Sequence, residues 1–132
     1  MRIVIAGAGT VGRSIAGELI SHGHEVTLVD RSPEAMRIAS VPEADWQLAD
    51  ACEADALANA GAGDCDVVVA ATGDDKVNLV VSLLARTEYA VPRTVARVNP
   101  WLEQWRVYFN LGTAELAADR LDDALTDLTT AL

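Results

Sequence analysis

The sequence predicts a doubly wound α/β fold, a parallel sheet with helices on both faces, and three observations carry that prediction. Apolar runs alternate with helical patterns along the whole chain. The runs are continuously apolar rather than alternating, as strands covered on both faces are. The first run passes straight into a glycine-rich turn and a helical pattern, the entry of a strand–helix–strand unit.

Each element has its own local warrant. The first strand is expected at 2–6 (RIVIA), and its helix at 10–22 closes with His22 in the last turn and Gly23 behind it. A strand at 25–30 (EVTLVD), a helix at 33–39 and a strand at 45–49 follow. Next come a helix at 53–60, a strand at 66–71 and a helix at 74–89 opened by Asp74 and Asp75. A fifth strand at 93–98 leads to a helix at 100–109 that starts on Pro100. A weak sixth strand near 113–116 and a helix at 117–131 complete the pattern.

Composition narrows the function. A length of 132 residues suits one domain. Twenty acidic against ten basic side chains give a formal charge of −10, and no basic stretch has the footprint of a nucleic-acid binder. No apolar run reaches the roughly 18 to 20 residues that span a bilayer, and residues 2–6 read as a core strand rather than a leader, so a cytosolic chain is expected. Cys52 and Cys65 lack metal or redox spacing and are expected as reduced thiols.

The glycines at 7, 9 and 12 of IAGAGTVG give up backbone order at three points of one turn. In a strand–turn–helix context Gly7 allows the tight turn, Gly9 the close approach of a ligand, and Gly12 the packing of helix on strand. The ligand such a turn serves is a phosphate at a helix N-terminus, cradled by Gly7, Ala8, Gly9, Thr10, Val11 and Gly12. Asp30 follows 18 residues after Gly12, at the end of the second strand, where a carboxylate meets an adenosine ribose. Arg31 stands beside it, able to turn toward a 2′-phosphate or to stack on adenine. Other strand ends converge on the same crevice. Asp50, with the Ala51 backbone, either meets an adenine edge or caps the helix near Cys52; Thr72 and Gly73 follow the fourth strand. Arg97 near the end of the fifth either binds a phosphate or makes a surface ion pair.

IAGAGTVGRSIAGEL, VTLVD, VVVAATGDDKVNLVVSLLAR and ARVNP together resemble the nucleotide-binding N-terminal lobe of RCK or KTN domains, the TrkA type, across nearly the whole chain. The resemblance implies a Rossmann-like sheet, one RCK N-terminal domain over 1–132, and a C-terminal helix that crosses to a neighbouring subunit. It implies a homodimer or higher ring at the inner face of the cell membrane, coupling nucleotide binding to potassium flux through a membrane-embedded transporter or channel subunit. By the same resemblance Gly7, Gly9 and Gly12 hold phosphates, Asp30 the ribose, Asp50 and Ala51 the adenine, and Thr72 and Arg97 the far half of the ligand. Members commonly add a C-terminal lobe, which these residues do not include. The position after the second glycine is often arginine in ATP-responsive members and is Thr10 here.

Thr10 offers a γ-phosphate no cation, which favours NAD(H) over ATP or ADP. Asp30 would repel a 2′-phosphate, which disfavours NADPH. The alternative reading is the cofactor domain of a nicotinamide-dependent oxidoreductase, but no Ser/His/Asp set, HExxH or paired catalytic carboxylates stand out, and no catalytic or metal site is expected. His22 and His24 lie on a turn at the end opposite the crevice, and the acidic run AADRLDDALTD is read as a solvated helix face. Leu121, Leu125, Leu128 and Leu132 form one helical stripe, expected at a dimer contact, and Trp101 and Trp105 lie four apart, either in the core or at a second contact.

Overall fold

The computed structural model describes residues 1–98. The helices expected at 100–109 and 117–131, the weak strand at 113–116, the crossover helix, Trp101, Trp105 and the leucine stripe lie outside the described residues.

Five parallel strands, β1 (Arg2–Ala6), β2 (Glu25–Asp30), β3 (Asp45–Leu48), β4 (Val67–Ala70) and β5 (Arg93–Ala96), form one sheet in the order β3-β2-β1-β4-β5. The winding direction reverses between β1 and β4, so a crevice opens above their carboxyl ends. Helix α1 (Thr10–Ser21) covers one face; α2 (Ala54–Asn59) and α3 (Asp75–Thr87) cover the other.

The continuously apolar strands follow from that layering. Ile3 and Ile5 of β1 pack with Ile15 and Ala16 of α1, while Val4 and Ala6 pack on the opposite side with Leu57 of α2 and Val81 and Ala85 of α3. Every residue from Ile3 to Ala6 is therefore buried.

The helix ends keep their predicted signals. Gly23 has φ +86, its N–H reaches the Ile20 carbonyl, and the His24 N–H reaches that of Leu19, which satisfies the last turn of α1. The Asp74 side chain caps α3 by accepting the Lys76 N–H at 2.9 Å.

One expected element takes another form. Residues 33–39 make no α-helix but two 3₁₀ turns, Pro33–Ala35 and Ile38–Ser40. Met36 and Arg37 between them have ψ of 60 and 66, outside the helical well. The segment is too short to be helical unaided, and its unwound path brings Val41 and Ala44 into the core, where the Trp46 indole donates to the Val41 carbonyl at 3.0 Å.

Candidate functional site

The ladder of the sheet runs on past its strands and fixes the rim of the crevice. The Gly7 N–H donates to Val29, Ala71 to Ala6, Arg97 to Ala70 and Ala49 to Asp30, all between 2.7 and 2.9 Å. Thus the first residue after β1, β3, β4 and β5 continues the ladder of its strand.

The three glycines meet three different constraints. Gly7 has φ +111, and a Cβ there would lie 2.8 Å from the Ala71 carbonyl carbon, so both the turn and the contact between the β1 and β4 ends require glycine. At Gly12 a Cβ would stand 1.8 Å from the Gly7 carbonyl oxygen; α1 packs on the turn itself as well as on Ile5 of the strand. Gly9 faces open space, with nothing within 4 Å of a Cβ. It is the N-cap of α1, brings no side chain to the helix end, and no acidic residue stands in the first turn. The helix dipole and the first N–H groups therefore face a hollow that a Cβ would partly fill, the fit expected of a phosphate cradle.

Asp30 holds that cradle in place. One carboxylate oxygen accepts the Ala8 N–H at 2.9 Å and the other the Ser32 N–H at 2.8 Å. The Ala8 carbonyl in turn accepts from the Arg13 guanidinium at 2.9 Å. A carboxylate has about four acceptor positions, so two remain for ribose hydroxyls.

Two hollows make one cleft across the switch point. The first, of about 340 Å³, is bordered by Asp30, Arg31, Asp50, Ala51, Cys52 and Asp74. The second, of about 360 Å³, lies over Gly9, Thr10, Val11, Ala71 and Arg97. Gly7, Asp30, Thr72 and Gly73 border both. Of the predicted site residues, Ala8 and Gly12 lie beneath the turn and border neither lobe; the rest line one or both. His22 and His24 sit away from the cleft, His22 against Glu18 and His24 against the Met1 amino group.

The open alternatives resolve unevenly. Asp50 accepts the Cys52 N–H at 2.9 Å, and its carbonyl accepts from Glu53, so it shapes the turn before α2 while bordering the first hollow. Arg97 has no ion-pair partner among the described residues and borders the glycine-side lobe. Cys52 and Cys65 are free thiols. Burial, followed by the Asp50 charge, pushes the Cys52 thiol up; burial, followed by Asp66, does the same for Cys65.

Sequence reasoning missed Asn78. It is 0% exposed on the core face of α3 and uses its whole amide. Its Oδ1 accepts the Thr72 N–H at 3.0 Å and the Thr72 hydroxyl at 2.6 Å. Its Nδ2 donates to the Thr72 and Arg97 carbonyls, each at 3.0 Å. The one available signal was a polar residue in step with Val81 and Ala85 on an apolar stripe.

A parallel sheet with a glycine turn at its switch point and a carboxylate at the end of β2 defines the Rossmann class of nucleotide-binding folds. The chain belongs to the TrkA-N domain family, which matches residues 3–107. It is 49% identical to the Trk system potassium uptake protein TrkA of Mycobacterium tuberculosis over 96% of this chain, and spans 60% of that protein's length. That relative is named for potassium uptake and for no reaction. Among solved structures the NAD(P)-binding domain of an exopolyphosphatase-related protein from Archaeoglobus fulgidus has a TM-score of 0.70 at 22% identity, covering 98% of each chain. The Kef CTD of Shewanella denitrificans in its AMP-bound form has a TM-score of 0.66 at 19% identity, covering 99% of this chain and 96% of its own. Both likenesses show the fold alone. Among the described residues no helix is long and apolar enough to cross a membrane, and no cluster of His, Cys, Asp and Glu could hold a metal.

Proposed function

We propose that this chain is a nucleotide-sensing regulatory unit of a potassium transport system, with residues 1–132 forming one RCK N-terminal domain that binds NAD(H). The observation that carries the reading is the two-lobed cleft in a chain 49% identical to a potassium uptake protein. The adenosine lies in the lobe of Asp30, Arg31, Asp50 and Ala51, and the pyrophosphate over Gly7, Gly9 and the first N–H groups of α1. The far half extends past Thr72 and Gly73 toward Arg97. ATP and ADP share the adenosine and the diphosphate and bind no more tightly than NAD(H): Thr10 supplies a hydroxyl where the γ-phosphate of ATP needs a cation, and ADP lacks the far half that reaches toward Arg97. The unit works as a homodimer or higher ring, cytoplasmic and held at the inner face of the membrane by a potassium-transporting partner.

Calorimetric titration of the purified chain with NADH, ATP and ADP tests the ligand. Rubidium uptake in cells carrying the unaltered chain or Gly9→Ala tests the coupling: a nucleotide response lost with Gly9→Ala supports the reading. Uptake that is indifferent to the chain contradicts it.

A further inference from the structure

We infer that Asn78 is a positioning residue for the nucleotide, the single side chain that sets the Thr72 edge of the cleft and the Arg97 strand end in register; this rests on the nucleotide reading above. Thr72 borders both lobes and Arg97 borders the glycine-side lobe. Asn78 borders neither. It nevertheless takes up both backbone groups of Thr72 and shares the proton of its hydroxyl with the Asp74 carbonyl, so this edge turns no Thr72 N–H toward a ligand. The same side chain reaches the Arg97 carbonyl 19 residues away.

The arrangement fixes two peptide planes at once. The Arg97 N–H is already held by Ala70 at 2.8 Å, and Asn78 holds its carbonyl at 3.0 Å, so the backbone from which the guanidinium starts is pinned on both sides. The Thr72 hydroxyl accepts the Asp74 N–H at 3.2 Å, which carries the same clamp into the N-terminus of α3. A buried amide with every donor and acceptor satisfied is stiff, because any shift leaves a desolvated polar group unpaired. Moving Thr72 therefore moves Arg97. A ligand that reaches Arg97 as well as Thr72 loads the clamp at both ends; one that stops at the glycine turn meets its Thr72 end alone.

NADH and AMP separate these cases, since AMP carries the adenosine and one phosphate only. In the unaltered chain, NADH is expected to shift the Asn78 side-chain amide resonances and slow their exchange roughly tenfold, with AMP producing a clearly smaller shift and less slowing. Asn78→Asp keeps the shape and the accepted bonds but loses both donated ones. It is expected to weaken NADH roughly tenfold or more and AMP less than about threefold. Val81→Ala, from the same buried face, serves as the matched core lesion and should lower the melting temperature with NADH affinity unchanged. Equal weakening of NADH and AMP, or unchanged Asn78 resonances while NADH binds, overturns the inference. Should Asn78→Asp fail to fold, the resonances of the unaltered chain decide alone. Absence of NADH binding to the unaltered chain overturns instead the nucleotide reading on which the inference rests.

Discussion

The two lobes of the cleft are nearly equal in volume, about 340 and 360 Å³, yet they are built in opposite ways. The adenosine-side lobe is walled by the side chains of Asp30, Asp50 and Asp74, three carboxylates against the single cation Arg31. The glycine-side lobe shares Asp30 but is otherwise bordered by the glycine turn, the start of α1 and Thr72, with Arg97 as its cation. One lobe suits a neutral, hydroxyl-rich nucleoside and the other an anion. Under the proposed reading, this balance of charge favours one orientation of the ligand over the reverse.

Glycine substitutions break the comparison most severely. Gly12→Ala forces a Cβ to 1.8 Å from a backbone oxygen and should cost more than about 3 kcal/mol in a denaturant melt. Gly9→Ala meets nothing within 4 Å and should keep stability within about 1 kcal/mol while weakening NADH roughly a hundredfold, read by calorimetry. Two neighbouring glycines are thereby split into one that serves the fold and one that serves the ligand.

Arg97→Gln sharpens the charge contrast. Losing a charge-assisted contact costs about 1.5 to 3 kcal/mol, so NADH should weaken roughly 10- to 100-fold while AMP changes little. Equal losses for both ligands would place Arg97 on the phosphate that they share rather than on the far half of NADH.

NADPH should bind roughly tenfold more weakly than NADH, about 1.4 kcal/mol, because its 2′-phosphate meets the Asp30 carboxylate. Asp30→Asn should narrow that ratio. It should also cost about 1 kcal/mol of stability, since Asp30 holds the Ala8 and Ser32 N–H groups and an amide replaces one acceptor with a donor. Measuring both quantities on one variant separates ribose recognition from the support of the turn.

The smallest effect is expected at Cys52. Its thiol is held above the ordinary range by burial and by Asp50, so iodoacetamide should react slowly near neutral pH, and the rate should rise only at a higher pH than for an ordinary thiol, which ionises at about 8.5. NADH should slow the reaction further, whereas Cys52→Ser should leave NADH affinity within about twofold. Rapid alkylation at neutral pH, unaffected by NADH, would remove Cys52 from the lobe.

What could be read in the sequence follows the reach of the interactions. Gly7, Gly9 and Gly12 answer to geometry within one turn, and Asp30 ends a strand, so spacing alone located them. The segment 33–39 has helix-forming residues, but the pull of Val41 and Ala44 into the core overrides local preference, and that pull comes from α1, β1 and β2. Asp50 was legible as an adenine contact or a helix cap; it caps no helix, because Glu53 is the N-cap of α2, and it holds the Cys52 N–H in the preceding turn while bordering the cleft. Asn78 was least legible: its partners lie 6 and 19 residues away on two strand ends, and one polar residue on an apolar helix face does not name them.

The most direct test of the oriented cleft is a backbone amide map of the isotopically labelled chain titrated with NADH. The account predicts the largest shifts at Gly9, Thr10 and Val11 in one lobe and at Arg31, Ala51 and Cys52 in the other, with little change around Arg2, Gly23 and Asp66 at the opposite end of the sheet. Shifts confined to that opposite end, or to one lobe only, would contradict it.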